Sequence, residues 1–380
     1  MGKKLNIAYF SNQFADLAGH GLARYSRELF SGLRAAAPQD LRVTPVAAWS
    51  SMQESDLARL KLESGLKLIP LGRRMTPLAW AFLNNPPIEY WLPETDVVHA
   101  VALGYPVATR KPLVVTVHDL GPLTHPEFFT NTRPWIMQRS LSQTVKQADA
   151  IICVSQSTAD ELISYVGKGV ESRVQVVHEG VSPAFFQAMD SACLKELRDL
   201  PPRGTPFVMA TGKISPRKNI QGLIQAMSNL SDVIPHHLVL VGGDGWGMDE
   251  VYKQLENPDI KARVHFPGYV TDEQLRALYA AATVYVHPSL YEGFGLTVLE
   301  AMAASCPVVT SNLTSLPEVA GDAALLVDPL DSDALAGAIE SICCDDTVAN
   351  ELVEKGGVRA RSFQWDTCAR QVFDIYRSVA

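Results

Sequence analysis

The sequence predicts an α/β protein made of two doubly wound parallel sheets. Three observations predict it. Twelve short runs are rich in β-branched and apolar residues and near-continuous rather than alternating, as strands buried on both faces are. Amphipathic helical stretches separate them, giving βαβ units with right-handed crossovers. The proline-bearing stretch Val181–Thr205 divides the runs into two series of six. With 380 residues, 47% hydrophobic and 19% charged, the chain is long enough for two domains with large cores and is not disordered as a whole.

The first series is Leu5–Ser11, Leu41–Ala48, Val97–Ala102, Leu113–His118, Ala150–Ser155 and Val174–His178. Leu5–Ser11 follows two lysines but is too short for a signal peptide, so it reads as the first strand. The second series is Phe207–Thr211, His237–Gly242, Val264–Pro267, Ala282–Pro288, Pro307–Ser311 and Ala324–Val327. Within the linker, Ala192–Leu200 reads as a helix. The domains expected are 1–188, joined by a terminal helix over 365–380, and 189–364.

Composition narrows the function. No apolar run approaches the ~20 residues that span a bilayer. Cys153, Cys193, Cys306, Cys343, Cys344 and Cys368 are scattered without a CxxC pair, which suits a reduced, cytoplasmic protein. The net charge of −8 argues against nucleic-acid binding. It is uneven: residues 1–190 carry 18 Lys+Arg against 17 Asp+Glu, the remainder 15 against 24.

Parallel sheets bind ligands beyond the carboxyl ends of their strands, so the loops there are the candidates. Two such sheets facing each other form a cleft suited to a ligand. In Ser289–Ala303 a strand ends near Pro288, Gly293 and Gly295 allow a tight turn around Phe294, and a helix begins near Thr297. The free N–H groups at Leu296 to Val298 and the helix dipole suit a phosphate. Glu292 and Glu300 border one pocket, and carboxylates accept hydrogen bonds from sugar hydroxyls. Thr297 and Glu300 also fit a capping box, which needs no function.

The stretch Ala210–Ile220 repeats the pattern of strand, turn and helix. Lys213 and Lys218 suit a diphosphate as point charges, and Arg217 can fork onto a diphosphate or a carboxylate; a solvated charge cluster is the plain alternative. Gly19–Tyr25, with Gly21 at its centre, brings backbone toward a phosphate or is simply a loop. His118 follows a central strand. The glycine-rich Gly242–Gly247 matches no phosphate-binding motif. Asp331 and Asp333 read as a helix cap rather than a metal pair, and His236 and His237 lack a third ligand.

Together these segments resemble glycosyltransferase family four, a retaining group with the GT-B fold of two Rossmann-like domains facing across a cleft. The resemblance spans most of the chain. It rests on Glu292-x7-Glu300 enclosing Gly293-Phe294-Gly295, on residues 212–219 (Gly-Lys-Ile-Ser-Pro-Arg-Lys-Asn), on Pro267-Gly268-Tyr269-Val270 before a helix, and on Val117-His118-Asp119-Leu120 with His125-Pro126-Glu127. The tail from Phe363 to Tyr376 resembles the family's last helix, which crosses back onto the N-terminal domain.

The resemblance implies roles. Glu292 holds donor sugar hydroxyls beside the backbone of Gly293, Phe294 and Gly295. Leu296 and Thr297 offer N–H groups to the diphosphate, and Glu300 accepts the ribose hydroxyls. Lys213 and Lys218 neutralise the leaving group. Tyr269 and Val270 border the base, His118 lies against the donor sugar, and Gly21 approaches the phosphate. Lys213 stands where the family has Arg, so fork geometry is lost there. The implied reaction moves a hexosyl group from a nucleotide-diphosphate sugar, UDP-glucose before GDP-mannose, to a saccharide or lipid-linked acceptor. No metal and no cofactor are expected. A nucleotide-sugar epimerase and a non-catalytic binding module are the alternatives. The aromatic stretch Pro77–Pro93, preceded by Arg73 and Arg74, suits either peripheral contact with the inner face of a membrane or burial.

Overall fold

The computed structural model describes residues 4–15, 21–37, 39–48, 65–104, 106–129, 134–189, 191–243, 245–247 and 249–380. The chain divides into two compact units, Met1–Gly180 with Gln364–Ala380, and Val181–Phe363.

Among its described residues the first unit carries β1 (Leu5–Phe10), β2 (Leu41–Ala48), β3 (Lys67–Ile69), β4 (Val97–Ala100), β5 (Leu113–Val117), β6 (Ala150–Cys153) and β7 (Val174–Val176). They form one sheet in the order β3-β2-β1-β4-β5-β6-β7, every pairing parallel. The order reverses direction between β1 and β4, so the crevice of this sheet lies beyond their carboxyl ends. Phe10, Val98, Val115 and Ile151 meet in a buried cluster on one face.

The helix Trp365–Val379 belongs to this unit because its sequence gives it one apolar stripe. Trp365, Cys368, Ala369, Val372, Ile375 and Tyr376 are buried and recur at helical spacing. That stripe packs on the helix Gly21–Ala36, where a Cβ on Gly32 would stand 3.1 Å from the Cβ of Ala369. Gly180 is tighter still: a Cβ there would lie 2.2 Å from the Trp365 nitrogen. A buried polar chain ties the helix to the sheet. Tyr376 Oη is 2.6 Å from His99 Nδ1, and His99 Nε2 is 2.8 Å from Thr116 Oγ1. Burial pushes the His99 imidazole down to about 3, with His118 adding to it, so the ring is neutral.

The second unit repeats the plan with β8 (Phe207–Thr211), β9 (His237–Val241), β10 (Val264–Gly268), β11 (Val284–His287), β12 (Val308–Ser311) and β13 (Leu325–Val327). Their order is β10-β9-β8-β11-β12-β13, again all parallel. Here the reversal falls between β8 and β11, and the two strongest sequence segments follow those two strands. Val208, Leu240, Val286 and Val309 share the core with Leu223, Ile224 and Ile339 from the covering helices. Each such fully buried side chain contributes roughly 1.5–3 kcal/mol.

Three readings are corrected. Lys67–Ile69 is a strand that the sequence did not announce: three residues at a sheet edge are too few for a period. In place of the helix expected over Ala192–Leu200 there is a 3₁₀ segment, Ser191–Glu196, of about two turns. The strand expected to end near Pro288 does so, at His287. The helix after it is Leu296–Ala303, with Gly295 as its left-handed N-cap at φ 112° and no side-chain cap, so Thr297 and Glu300 do not form a capping box. The Asp331 cap is present: its carboxylate accepts from the Asp333 and Ala334 N–H groups.

Candidate active site

The site is built where β8 and β11 end. After β8, Gly212 takes φ +122°, a conformation that favours glycine, and a Cβ there would press 3.1 Å from Lys218 Cε. The chain then makes a 3₁₀ turn, Pro216–Lys218, whose last two residues are the cations Arg217 and Lys218. After β11 the chain reaches Glu292 in five residues. Leu290 N–H donates to the Arg217 carbonyl at 2.8 Å, which stitches the two loops together.

Glu292 is the centre. Its Oε2 accepts from Arg217 Nη1 at 2.7 Å and its Oε1 from Lys218 Nζ at 2.6 Å. The same Arg217 Nη1 also donates to the Tyr291 carbonyl at 2.7 Å. His287 Nε2 stands 3.2 Å from Oε1. The Glu292 N–H donates to Thr314 Oγ1, and Ser315 Oγ donates to the carbonyls of Glu292 and Phe294. The carboxylate is thus fixed at both ends of its residue.

Burial by itself would raise the Glu292 carboxyl, but Arg217 and Lys218, with His287, outweigh it and hold the group well below the usual carboxylate range. Burial lowers the Lys218 ammonium, against the pull of Glu292 and with the push of Arg217. Burial and then Lys218 bring His287 down to about 4, so it is neutral near pH 7. Two cations against one carboxylate leave the cluster at +1. Such a cluster attracts a further anion.

The other candidate residues of the second unit differ in burial. Lys213 is exposed and makes no ion pair among the described residues. Gly293, Phe294 and Gly295 form the turn; the Phe294 ring is buried against Phe363 at 5.9 Å. Leu296 and Thr297 open the helix, where the first N–H groups have no intrahelical acceptor. Glu300 is buried at 1% exposure on that helix. Tyr269 is exposed, its ring lying where a Cβ on Gly243 would be; Val270 is half-buried.

In the first unit, His118 follows β5. Its Nε2 is 3.0 Å from the Val101 carbonyl, its Nδ1 3.4 Å from Glu179 Oε1, and Tyr25 meets its ring edge-on at 4.5 Å. Gly21 opens its helix with nothing within 4 Å of a Cβ position, while Gly19 and His20 lie outside the described residues.

Sequence reasoning missed three contributors. His287 and Tyr285 sit inside a strand and carry no motif. The glycine run Gly242–Gly247, set aside for lacking a phosphate signature, is a packing surface: a Cβ on Gly242 would lie 2.2 Å from the Gly212 oxygen and one on Gly245 1.5 Å from the Ile214 oxygen. The signal was available as glycines two residues apart after a strand, read for packing rather than for a ligand.

Two family profiles together match most of the chain. The glycosyl transferases group 1 profile matches residues 197–359, and that of glycosyltransferase family 4 matches residues 19–185. The chain is 32% identical to the O-antigen chain mannosyltransferase B of Escherichia coli over 365 residues, covering 94% of this chain and 96% of that one. It belongs to glycosyltransferase family four. Family membership makes the protein a glycosyltransferase. It is also 27% identical to glycogen synthase of Mycobacterium tuberculosis, over 85% of this chain and 76% of that one. Among solved structures, sucrose-phosphate synthase from Thermosynechococcus elongatus superposes with a TM-score of 0.75 at 22% identity, covering 99% of both chains. Anabaena HepE in complex with UDP and glucose gives 0.75 at 20%, covering 98% of this glycosyltransferase and 100% of that chain. At those identities the likeness concerns the GT-B fold of two Rossmann-like parallel-sheet domains.

Proposed function

We propose that this glycosyltransferase moves a hexosyl group from a nucleotide-diphosphate sugar to a saccharide or lipid-linked saccharide, with retention at the anomeric carbon. The observation that carries the reading is Glu292 gripped by Arg217 and Lys218 at the switch point of the second sheet, next to the N-terminus of Leu296–Ala303. A diphosphate is drawn to the surplus positive charge and to the Leu296 and Thr297 N–H groups. As it takes up the cations, the Glu292 carboxylate is released to accept the donor's sugar hydroxyls. Glu300 takes the ribose hydroxyls, Tyr269 and Val270 border the base, and Lys213 adds a third charge.

Breaking the anomeric C–O bond builds negative charge on the departing diphosphate and positive charge on the sugar. Preorganised Lys218, Arg217 and the helix N-terminus stabilise the first; each charged hydrogen bond is worth roughly 1.5–3 kcal/mol. The acceptor attacks the same face through an oxocarbenium-like state. The sequence ranks UDP-glucose before GDP-mannose; the 32% identical relative is a mannosyltransferase, which favours a mannosyl donor. A panel of nucleotide sugars, read by thermal stabilisation and then by transfer, tests base and sugar together. The anomeric configuration of the product, read by NMR, tests retention; an inverted product overturns it.

Peripheral membrane contact is supported by exposed apolar groups. Phe82, Leu83 and Trp135 are 63%, 73% and 48% exposed, with the Phe82 and Trp135 rings 6.0 Å apart. The rest of Pro77–Pro93 is partly core: Trp80 and Ile88 are fully buried. The side chains of Arg73 and Arg74 lie outside the described residues. Among the described residues no helix is long and apolar enough to cross a membrane. Failure to bind anionic liposomes at low salt excludes this contact.

A further inference from the structure

A line of hydroxyl and imidazole groups runs from the core of the second unit to Glu292. Thr211 Oγ1 is 2.8 Å from Tyr285 Oη, Tyr285 Oη is 2.9 Å from His287 Nδ1, and His287 Nε2 is 3.2 Å from Glu292 Oε1. Ser289 Oγ stands 3.2 Å from the same Nε2, and Thr297 Oγ1 3.5 Å from Nδ1. All of Thr211, Tyr285, His287 and Ser289 are buried. The His287 backbone is held as well, its carbonyl accepting from Thr310 Oγ1 at 3.0 Å.

The ionised carboxylate facing Nε2 favours one arrangement of protons. The Glu292 carboxylate is ionised and only accepts, so the nitrogen facing it, Nε2, carries the proton. His287 is neutral, so Nδ1 is a bare acceptor. Tyr285 therefore donates to Nδ1, and its oxygen accepts from Thr211. The other tautomer would set a lone pair on Nε2 against the carboxylate, and Tyr285 would have to turn its hydrogen to Thr211 and accept from Nδ1.

We infer that His287 is a positioning residue for sugar transfer: it donates from Nε2 to Glu292, and Tyr285 and Thr211 fix the tautomer that lets it do so. The inference rests on the role given to Glu292 above and extends it. Arg217 and Lys218 are shared with the incoming diphosphate, whereas His287 is not. It keeps the carboxylate aimed when the cations turn to the leaving group.

The test has two arms. In the first, two-bond proton–nitrogen correlation spectra of histidine-labelled protein read the tautomer without any substrate. The wild type should show His287 as Nε2–H at pH 7, and Tyr285→Phe should mix the tautomers. In the second, donor and acceptor kinetics are measured for His287→Leu, His287→Gln and Tyr285→Phe. Gln can present an amide N–H where Nε2–H stood. His287→Leu should lower kcat about tenfold or more, the loss of a hydrogen bond to a charged group. His287→Gln should recover most of it. Tyr285→Phe should cost less and add nothing on top of His287→Leu. A residue needed only for packing would give the opposite result: Gln would rescue nothing, and the two losses would add. An Nδ1–H tautomer in the wild type, or full kcat in His287→Leu, overturns the inference. Should His287→Leu fail to fold, the wild-type spectrum and Tyr285→Phe decide it. A wild type that shows the expected tautomer but turns over no nucleotide sugar overturns the reading of Glu292 instead.

Discussion

Lys218 Nζ lies 2.6 Å from Glu292 Oε1, although 74 residues separate them and each alone would be costly to bury. The pair is closed at the second carboxylate oxygen by Arg217, so neither charge is stranded. Lys213, on the same loop, stays in solvent. The two lysines therefore answer differently to substitution. Lys218→Met should lower both the melting temperature and donor affinity, because Glu292 loses half of its compensation. Lys213→Met should leave the melting temperature within a degree or two, since exposed groups contribute little, while still weakening the donor. Calorimetric donor titrations beside thermal melts separate the two effects. Equal melting temperatures for both variants would contradict the buried pair.

Glu292 is best removed without removing its shape. Glu292→Ala leaves Arg217 and Lys218 facing each other in a buried site, a loss of about 3–5 kcal/mol where one partner of a buried pair is deleted. Glu292→Gln keeps the volume and two polar atoms. It should fold with a lowered melting temperature and lose at least two orders of magnitude in kcat, on the scale of one removed electrostatic contact. Initial rates with the nucleotide sugar found in the panel give the answer; a rate within tenfold of wild type would refute the role of this carboxylate.

Acid should weaken the protein in two stages. His99 and His287 have folded values of about 3 and about 4, below the ~6.5 of an unfolded histidine. The unfolded chain thus binds more protons as pH falls below 6.5, and stability drops until the folded values are reached. For His287 the shift corresponds to on the order of 3 kcal/mol. Glu292 has the opposite sign of shift relative to charge: its depressed folded value gives stability that is present above ~4.3 and lost as pH falls through the folded value. Denaturant midpoints at pH 7, 5.5 and 4.5 should fall steadily. His99→Asn should be weaker at pH 7 yet flatter across that range. A wild-type midpoint constant from pH 7 to 4.5 would remove the claim that these imidazoles are buried and neutral.

The strands were readable because burial on both faces makes each a near-continuous apolar run. All twelve runs overlap strands, and the one unannounced strand among the described residues, Lys67–Ile69, pairs on one side only. The loops after β8 and β11 were readable because glycines, cations and carboxylates are conspicuous beyond an apolar run. What could not be read was pairing. Nothing in the spacing says that Arg217 and Lys218 turn to Glu292, that Lys213 does not, or that Thr297 is a first-turn residue rather than a cap. Those facts depend on β8 and β11 lying side by side, which topology decides. His287 was hidden for the same reason: a histidine inside a strand looks like filling until its neighbour across the site is known.

The glycine run beside the cations packs backbone against backbone. Gly245 contributes no side chain to the site, yet a Cβ there would fall 1.5 Å from the Ile214 oxygen, between Lys213 and the turn that carries Arg217 and Lys218. Trp246 N–H donates to that same oxygen at 3.2 Å, and Ile214 N–H to the Gly243 oxygen at 3.3 Å. Backbone cannot yield as a flexible side chain does, so Gly245→Ala must push the two loops apart. The cations then leave their places while Glu292, anchored by Thr314 and Ser315, keeps its own. Gly245→Ala should therefore cut donor affinity at least tenfold with a modest loss of melting temperature. Gly337→Ala is the control, since a Cβ there meets nothing within 4 Å and the residue lies inside the helix Ser332–Cys344; it should raise stability slightly by helix propensity. Isothermal titration of both variants with the same donor checks the pair. Undiminished binding by Gly245→Ala would mean that the glycine loop does not hold the cation turn in place.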